Sequence, residues 1–116
     1  MKIKGKVKKG NQKASKIGFP TANIELEDAV LAPGIYAGRV FFENENYKGA
    51  LYVGKINPQV LEVHLIDFEG DLYDKEIEVA VYDKIRDDFN LDDEEKLKEM
   101  ISNDVEMIRL ELDKNL

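Results

Sequence analysis

The 116-residue sequence has no cysteine and a single histidine, His64. The first absence excludes disulfides, thiolate nucleophiles and cysteine-based zinc sites. The second excludes a metal centre built from several histidines. No apolar run approaches the ~20 residues that a membrane-spanning helix needs. The opening MKIKGKVKKG alternates lysine with apolar residues or glycine, where a signal peptide would have an unbroken apolar stretch. The expectation is one cytoplasmic domain over residues 1–116, with no membrane association.

Positive charge is outnumbered, with 17 Lys and Arg against 24 Asp and Glu, for a net charge of −7. That balance argues against general nucleic-acid binding. The charge is also unevenly spread. Lys2, Lys4, Lys6, Lys8, Lys9, Lys13 and Lys16 all precede the first acidic residue, and the last third of the chain is mostly acidic. The lysines fit a solvated strand face. They also fit a surface that attracts a small polyanion such as a nucleotide phosphate tail.

The apolar pattern has period two over most of the chain. Ile3, Gly5 and Val7 alternate with Lys4, Lys6 and Lys8, as in a strand with one wet face. IYAGRVFF (35–42) and YKGALYVG (47–54) read as two strands joined by an ENEN hairpin loop (43–46), preceded by a type II turn at Pro33 and Gly34. VLEVHLIDF (60–68) and KEIEVAVYDKI (75–85) read as two more, with a turn at EGD (69–71). Short connections favour antiparallel pairing, hence a small barrel or sandwich. The period then changes: Leu97, Ile101, Val105, Ile108 and Leu112 recur at helical spacing, with Met100 beside them. Asp92 and Glu95 fit a capping box at the start of that helix. Asp104 falls inside the apolar arc and needs a partner there. Arg86 is the expected one, with direct ligand contact as the alternative.

Two clusters of polar residues could do chemistry. In GFPTAN (18–23), Thr21 and Asn23 lie two apart, so on an extended segment their side chains point to the same side. Two neutral oxygens suit magnesium on a nucleotide, because phosphates bring the negative charge and complete the coordination. The same residues would also fit an Asx or ST turn leading into a strand. On the strand 60–68, Glu62 and His64 share a face with Val60 and Ile66. A carboxylate in such a place can act as a general base if a substrate hydroxyl is within reach. A water-facing barrel end is the plainer alternative.

Taken together, GFPTAN, GIYAGRV, LEVHLIDFEGDLYDKEIEVAVYDKIRDDF and the helix LDDEEKLKEMISNDVEMI closely resemble the riboflavin kinase family, in the family's order and over nearly the whole chain. That family includes the kinase module of bifunctional bacterial FAD synthetases. The resemblance implies a mainly β fold, a six-stranded antiparallel Greek-key-like barrel with one C-terminal amphipathic helix. It implies transfer of a phosphate from ATP to riboflavin with Mg²⁺, in a monomer whose partners are small molecules rather than nucleic acid. The adenylyltransferase module of the bifunctional enzymes is not expected here, given the length and the lone histidine.

By the same resemblance, Thr21 and Asn23 bind the magnesium, and Glu62 is the general base for the ribityl 5′-hydroxyl. Gly10, Lys13, Lys16, Gly18, Pro20 and Tyr73 join Thr21 and Asn23 around the nucleotide. Arg86 and Phe89 resemble the flavin-side wall. The sequence departs from the family in two places. Only INPQV separates Lys55 from Leu61, where a longer flap is usual, and GNQKASK (10–16) replaces a phosphate loop richer in glycine and arginine. A binding module that holds flavin or nucleotide without turnover is the alternative function.

Overall fold

The structure is a computed structural model and describes residues 1–8, 22–26, 31–55, 58–68, 70, 72–87 and 94–113. Among these residues six strands precede one helix: β1 (Lys2–Lys6), β2 (Ala22–Glu25), β3 (Gly34–Phe42), β4 (Glu45–Val53), β5 (Val60–Leu65), β6 (Glu76–Arg86) and α1 (Glu94–Asp113). Every pairing is antiparallel, in the order β1-β6-β3-β4-β5-β2. Strands β3, β4 and β5 form a meander, and β6 returns to lie beside β3, which is the Greek-key order. The two ends of the sheet meet where Lys8 bridges Asn23, its N–H donating to the Asn23 carbonyl at 2.7 Å. The sheet is thereby a nearly closed barrel. No helix among the described residues is long and apolar enough to cross a membrane.

Period-two alternation sorts the side chains into two cores. Val7, Ile24, Leu51, Leu61, Val63 and Val79 point inward and fill the barrel. Ile35 and Ala37 point outward and are buried, with Ile66, against Val105, Ile108 and Leu112 of α1. The helix packs mainly on β3, β4 and β6. Ile101 packs half-buried against this core, and Met100 beside it is also half-buried. The side chain of Leu97 and the whole of Asp92 lie outside the described residues, so the capping box does too.

Four details differ from the expectations. The hairpin between β3 and β4 has only Glu43 and Asn44 in its turn, at φ 50° and 66°. Positive φ at both central residues is the two-residue primed turn whose twist matches that of the strands, so pairing runs on to Phe42 and Glu45. Strand β5 stops at Leu65 rather than residue 68. Asp67 turns left-handed at φ 63°, and Ile66 leaves the sheet for the core beneath α1. Gly34 is already the first residue of β3 at φ 154°, away from the roughly +80° of a type II corner. A Cβ there would lie 2.8 Å from the Arg86 carbonyl oxygen. Finally, Ala22–Glu25 is a strand, so the segment after Thr21 continues into the sheet.

The lysines of β1 have local partners. Lys2, Lys4 and Lys6 reach Glu78, Glu76 and Asp74 at 3.7, 3.2 and 3.0 Å. These pairs are exposed and contribute little stability each. They do neutralise most of the attraction that the basic run would exert on an anion. For these three lysines, the solvated strand face is the better account.

Among the described residues, ion pairs to Arg109 and Asp104 fasten the helix. Arg109 Nη1 and Nη2 each donate to Asp67 at 2.7 Å, and those bonds hold the Asp67 carboxyl below its ordinary pKa. Asp104, only 5% exposed, receives Arg86 Nε at 2.8 Å and Nη2 at 2.6 Å. The expected partner of Asp104 is therefore the one found. Removing one member of a buried pair strands the other. Because the Arg86 side chain is 26% exposed, water recovers part of that loss. Asp104→Ala is expected to destabilise the fold by about 2 kcal/mol. Urea unfolding should show a lower midpoint with an unchanged slope, and an unchanged midpoint would mean that the pair does not fasten the helix.

Candidate active site

Residues directly opposite one another on neighbouring antiparallel strands point to the same face. Following those partners outward from β2 gives one continuous row across the outer wall of the barrel. Lys8 is opposite Asn23, Asn23 opposite Glu62, Glu62 opposite Tyr52, Tyr52 opposite Ile35 and Ile35 opposite Arg86. The register thus brings together Asn23 and Glu62, which are 39 positions apart in the chain. Neighbouring strands are ~4.8 Å apart, close enough for both side chains to touch one small ligand.

Alternation explains why these side chains are outside. Ala22 and Ile24 flank Asn23 and belong to the barrel core, as do Leu61, Val63 and Leu65 around Glu62 and His64. Glu62 and His64 are half-buried on the outer wall. One register step along, His64 is opposite Ala50, which is opposite Ala37 under the helix. Tyr52 packs against the edge of the helix core. The row therefore emerges from beneath α1 at Tyr52 and presents Glu62 and Asn23 beyond it.

Asn23 is the unusual member. It is only 6% exposed, and its Oδ1 has no hydrogen-bond partner among the described residues. A buried amide oxygen left unpaired costs about 1–3 kcal/mol, so such an atom calls for an explanation. A cation supplies one, since a neutral amide oxygen is a suitable ligand for magnesium. The orphaned oxygen thus fits a metal-bound nucleotide. Among the described residues there is no cluster of three or more His, Cys, Asp or Glu that could hold a metal by protein ligands alone.

The other expected site residues fall in three places. Thr21, Gly10, Lys13, Lys16, Gly18, Pro20 and Phe89 lie outside the described residues. Tyr73 is 52% exposed, next to Asp74. The Asp74 N–H donates to the Val7 carbonyl at 3.0 Å, and the Val7 N–H donates to Lys75 at 2.8 Å. Those bonds set the Tyr73 turn beside the end of β1, one residue before Lys8. Arg86 is at the far end of the row. Two of its nitrogens are held by Asp104, and Nη1 donates to the Asp87 carbonyl at 3.2 Å. Its guanidinium is oriented by the protein at the helix edge. The sequence alone does not point to Tyr52, and it offers Lys8 only as one member of a basic run that fits either a solvated face or a polyanion. The signal for Lys8 was present, as the fourth lysine in the alternation Lys2, Lys4, Lys6, Lys8.

Comparison with known proteins gives a consistent result. The family model for Flavokinase, riboflavin kinase, matches residues 1–112. A bifunctional riboflavin kinase/FMN adenylyltransferase of Buchnera aphidicola subsp. Schizaphis graminum is 39% identical over 92% of this chain. An RNA-binding riboflavin kinase of Bacillus subtilis is 34% identical over 91% of it. The chain spans 37% and 49% of those two relatives, respectively. Among solved structures, one described as a macrolide-efflux protein from Streptococcus pneumoniae superposes with a TM-score of 0.79 at 31% identity, covering 93% of this chain and 36% of that one. Riboflavin kinase from Trypanosoma brucei superposes at 0.73 and 26% identity, covering 97% and 77%. With the family model matching all but the last four residues and the barrel shared with a riboflavin kinase, this chain belongs to the riboflavin kinase family.

Proposed function

We propose that this chain transfers the γ-phosphate of ATP to the 5′-hydroxyl of riboflavin, giving FMN and ADP. The observation that carries the reading is the juxtaposition of Asn23 and Glu62: a buried, unpaired neutral oxygen one strand away from a half-buried carboxylate. Phosphoryl transfer needs positioned groups and charge stabilisation more than covalent help from the protein. A metal-nucleotide ligand beside a base provides both.

In this reading Asn23 Oδ1 and Thr21 hold Mg²⁺ on the nucleotide. When bound, the ion supplies charge neutralisation at the phosphate oxygens. Glu62 accepts the proton of the ribityl 5′-hydroxyl as that oxygen bonds to the γ-phosphorus. The bond from the γ-phosphorus to the β,γ-bridging oxygen breaks, and ADP departs with the electron pair. Gly10, Lys13, Lys16, Gly18 and Pro20 belong to the phosphate side, with Tyr73 near the nucleotide. Arg86 and Phe89 belong to the flavin side, where the Asp104 contact keeps the Arg86 guanidinium in one orientation.

One chain contributes the whole row, so a monomer suffices. The net charge of −7 and the pairing of Lys2, Lys4 and Lys6 with carboxylates support small-molecule partners over nucleic acid. ATP as co-substrate points to the cytoplasm. Incubation with riboflavin, MgCl₂ and ATP should yield FMN, separated from riboflavin by chromatography. Tight flavin binding with no FMN under any nucleotide would replace the kinase with a binding module.

A further inference from the structure

The lysines of the first strand differ in one respect. Lys2, Lys4 and Lys6 each face a carboxylate on β6 or in the turn before it. Lys8, next in the same alternation, has no carboxylate partner among the described residues. It has instead left β6 and crossed to the other end of the sheet. Its N–H bonds the Asn23 carbonyl, and the bridge is antiparallel. Bridge partners share a face, so the exposed Lys8 side chain rises on the same wall as the Asn23 amide and the Glu62 carboxylate. Lys8 and Glu62 flank Asn23, their backbones about 10 Å apart across two strand spacings. A four-carbon stem can carry the ammonium along this wall toward a phosphate seated beside Asn23.

We propose that Lys8 is a phosphate-binding residue, whose ammonium contacts the terminal phosphate of the nucleotide between Asn23 and Glu62. The proposal rests on the kinase reading of that row. Its chemistry is that of a compact point charge with three rotatable donors, which suits a phosphate oxygen whose position changes as the group transfers. Asn23 does not do this, because it is neutral and its unpaired Oδ1 is an acceptor, suited to a cation rather than to a phosphate oxygen. Glu62 cannot, because as a carboxylate it repels the phosphate. A cation on the row is what allows a carboxylate base and a polyanion to occupy neighbouring positions. The paired lysines of β1 cannot substitute, because their carboxylate partners already neutralise them.

The test compares wild type, Lys8→Gln, Lys8→Arg and Lys4→Gln, the last as a control with a paired lysine on the same strand. Steady-state kinetics give KM for Mg-ATP and for riboflavin. Calorimetry gives binding of Mg-ADP and of a non-hydrolysable Mg-ATP analogue. Lys8→Gln is expected to raise KM for Mg-ATP about tenfold or more, the range of one charge-assisted hydrogen bond. It should weaken the ATP analogue more than ADP and leave KM for riboflavin nearly unchanged. Arginine should restore most of the loss, and Lys4→Gln should behave as wild type. The salt dependence of ATP-analogue binding should also be shallower without Lys8. Equal losses for ADP and the ATP analogue, or wild-type nucleotide affinity in Lys8→Gln, would overturn the proposal and leave the kinase reading standing. Failure of the wild-type protein to make FMN would overturn that reading itself, and the role of Lys8 in catalysis with it.

Discussion

Glu62→Gln is expected to lower kcat for FMN formation by about 10²-fold or more, the lower range of what a general base contributes. The substitution keeps the size and shape of the side chain and removes its proton affinity. Its position makes the comparison clean. Glu62 is on the outer wall of β5, between core residues Leu61 and Val63 that hold the strand in place, and it is half-buried. Nothing in the barrel interior changes with it, so the mutant should keep the fold and unfold in one cooperative urea transition. Nucleotide binding should also persist, because the phosphate-side residues are untouched. A mutant with the wild-type KM for Mg-ATP, the wild-type fold and a collapsed kcat is what a base predicts. Turnover near wild type would remove Glu62 from the role, leaving the half-buried carboxylate as a polar residue at the rim of the helix.

The local patterns of the sequence give most of the fold and half of the site, and the missing half follows from register. Strands with four or more alternating residues, such as IYAGRVFF and VLEVHL, declare which face is buried. The helix declares itself by Ile101, Val105, Ile108 and Leu112. Asp104 within that arc even points to its partner, because a buried carboxylate requires a cation and Arg86 ends the strand beneath it. Strand β2 is harder, since ANIE offers only four residues and its neighbour in the sheet is β5, well along the chain. That pairing sets Asn23 against Glu62, and no local periodicity records it. The same holds for Lys8. A lysine at an alternating position looks like its predecessors until the sheet closes and gives it a different neighbour. Strand ends are misread for a related reason: Ile66 is as apolar as Leu65, yet its burial is supplied by α1 rather than by the barrel.

The register also decides what Asn23 should do when it is altered. Asn23→Ala is expected to raise the Mg²⁺ concentration needed for half-maximal activity by at least the ~10–100-fold that loss of a supporting metal-site partner costs. Thr21→Ala should shift it in the same direction. Asn23 is 6% exposed with an unpaired Oδ1, so truncation removes a buried polar atom that the described protein residues do not satisfy. In the absence of metal and nucleotide, Asn23→Ala should therefore be as stable as wild type or more so, because the desolvation penalty of an orphaned oxygen goes with it. Most losses of buried polar groups run the other way, which makes stability and affinity separable here. Calorimetry with ADP supplies the second half of the test. If Asn23 Oδ1 is a ligand of the nucleotide-bound ion, the mutant loses affinity in the presence of Mg²⁺ and binds metal-free ADP as wild type does. An equal loss with and without Mg²⁺, accompanied by a lower unfolding midpoint, would make Asn23 a structural residue of the β2 edge and take the metal site out of the row.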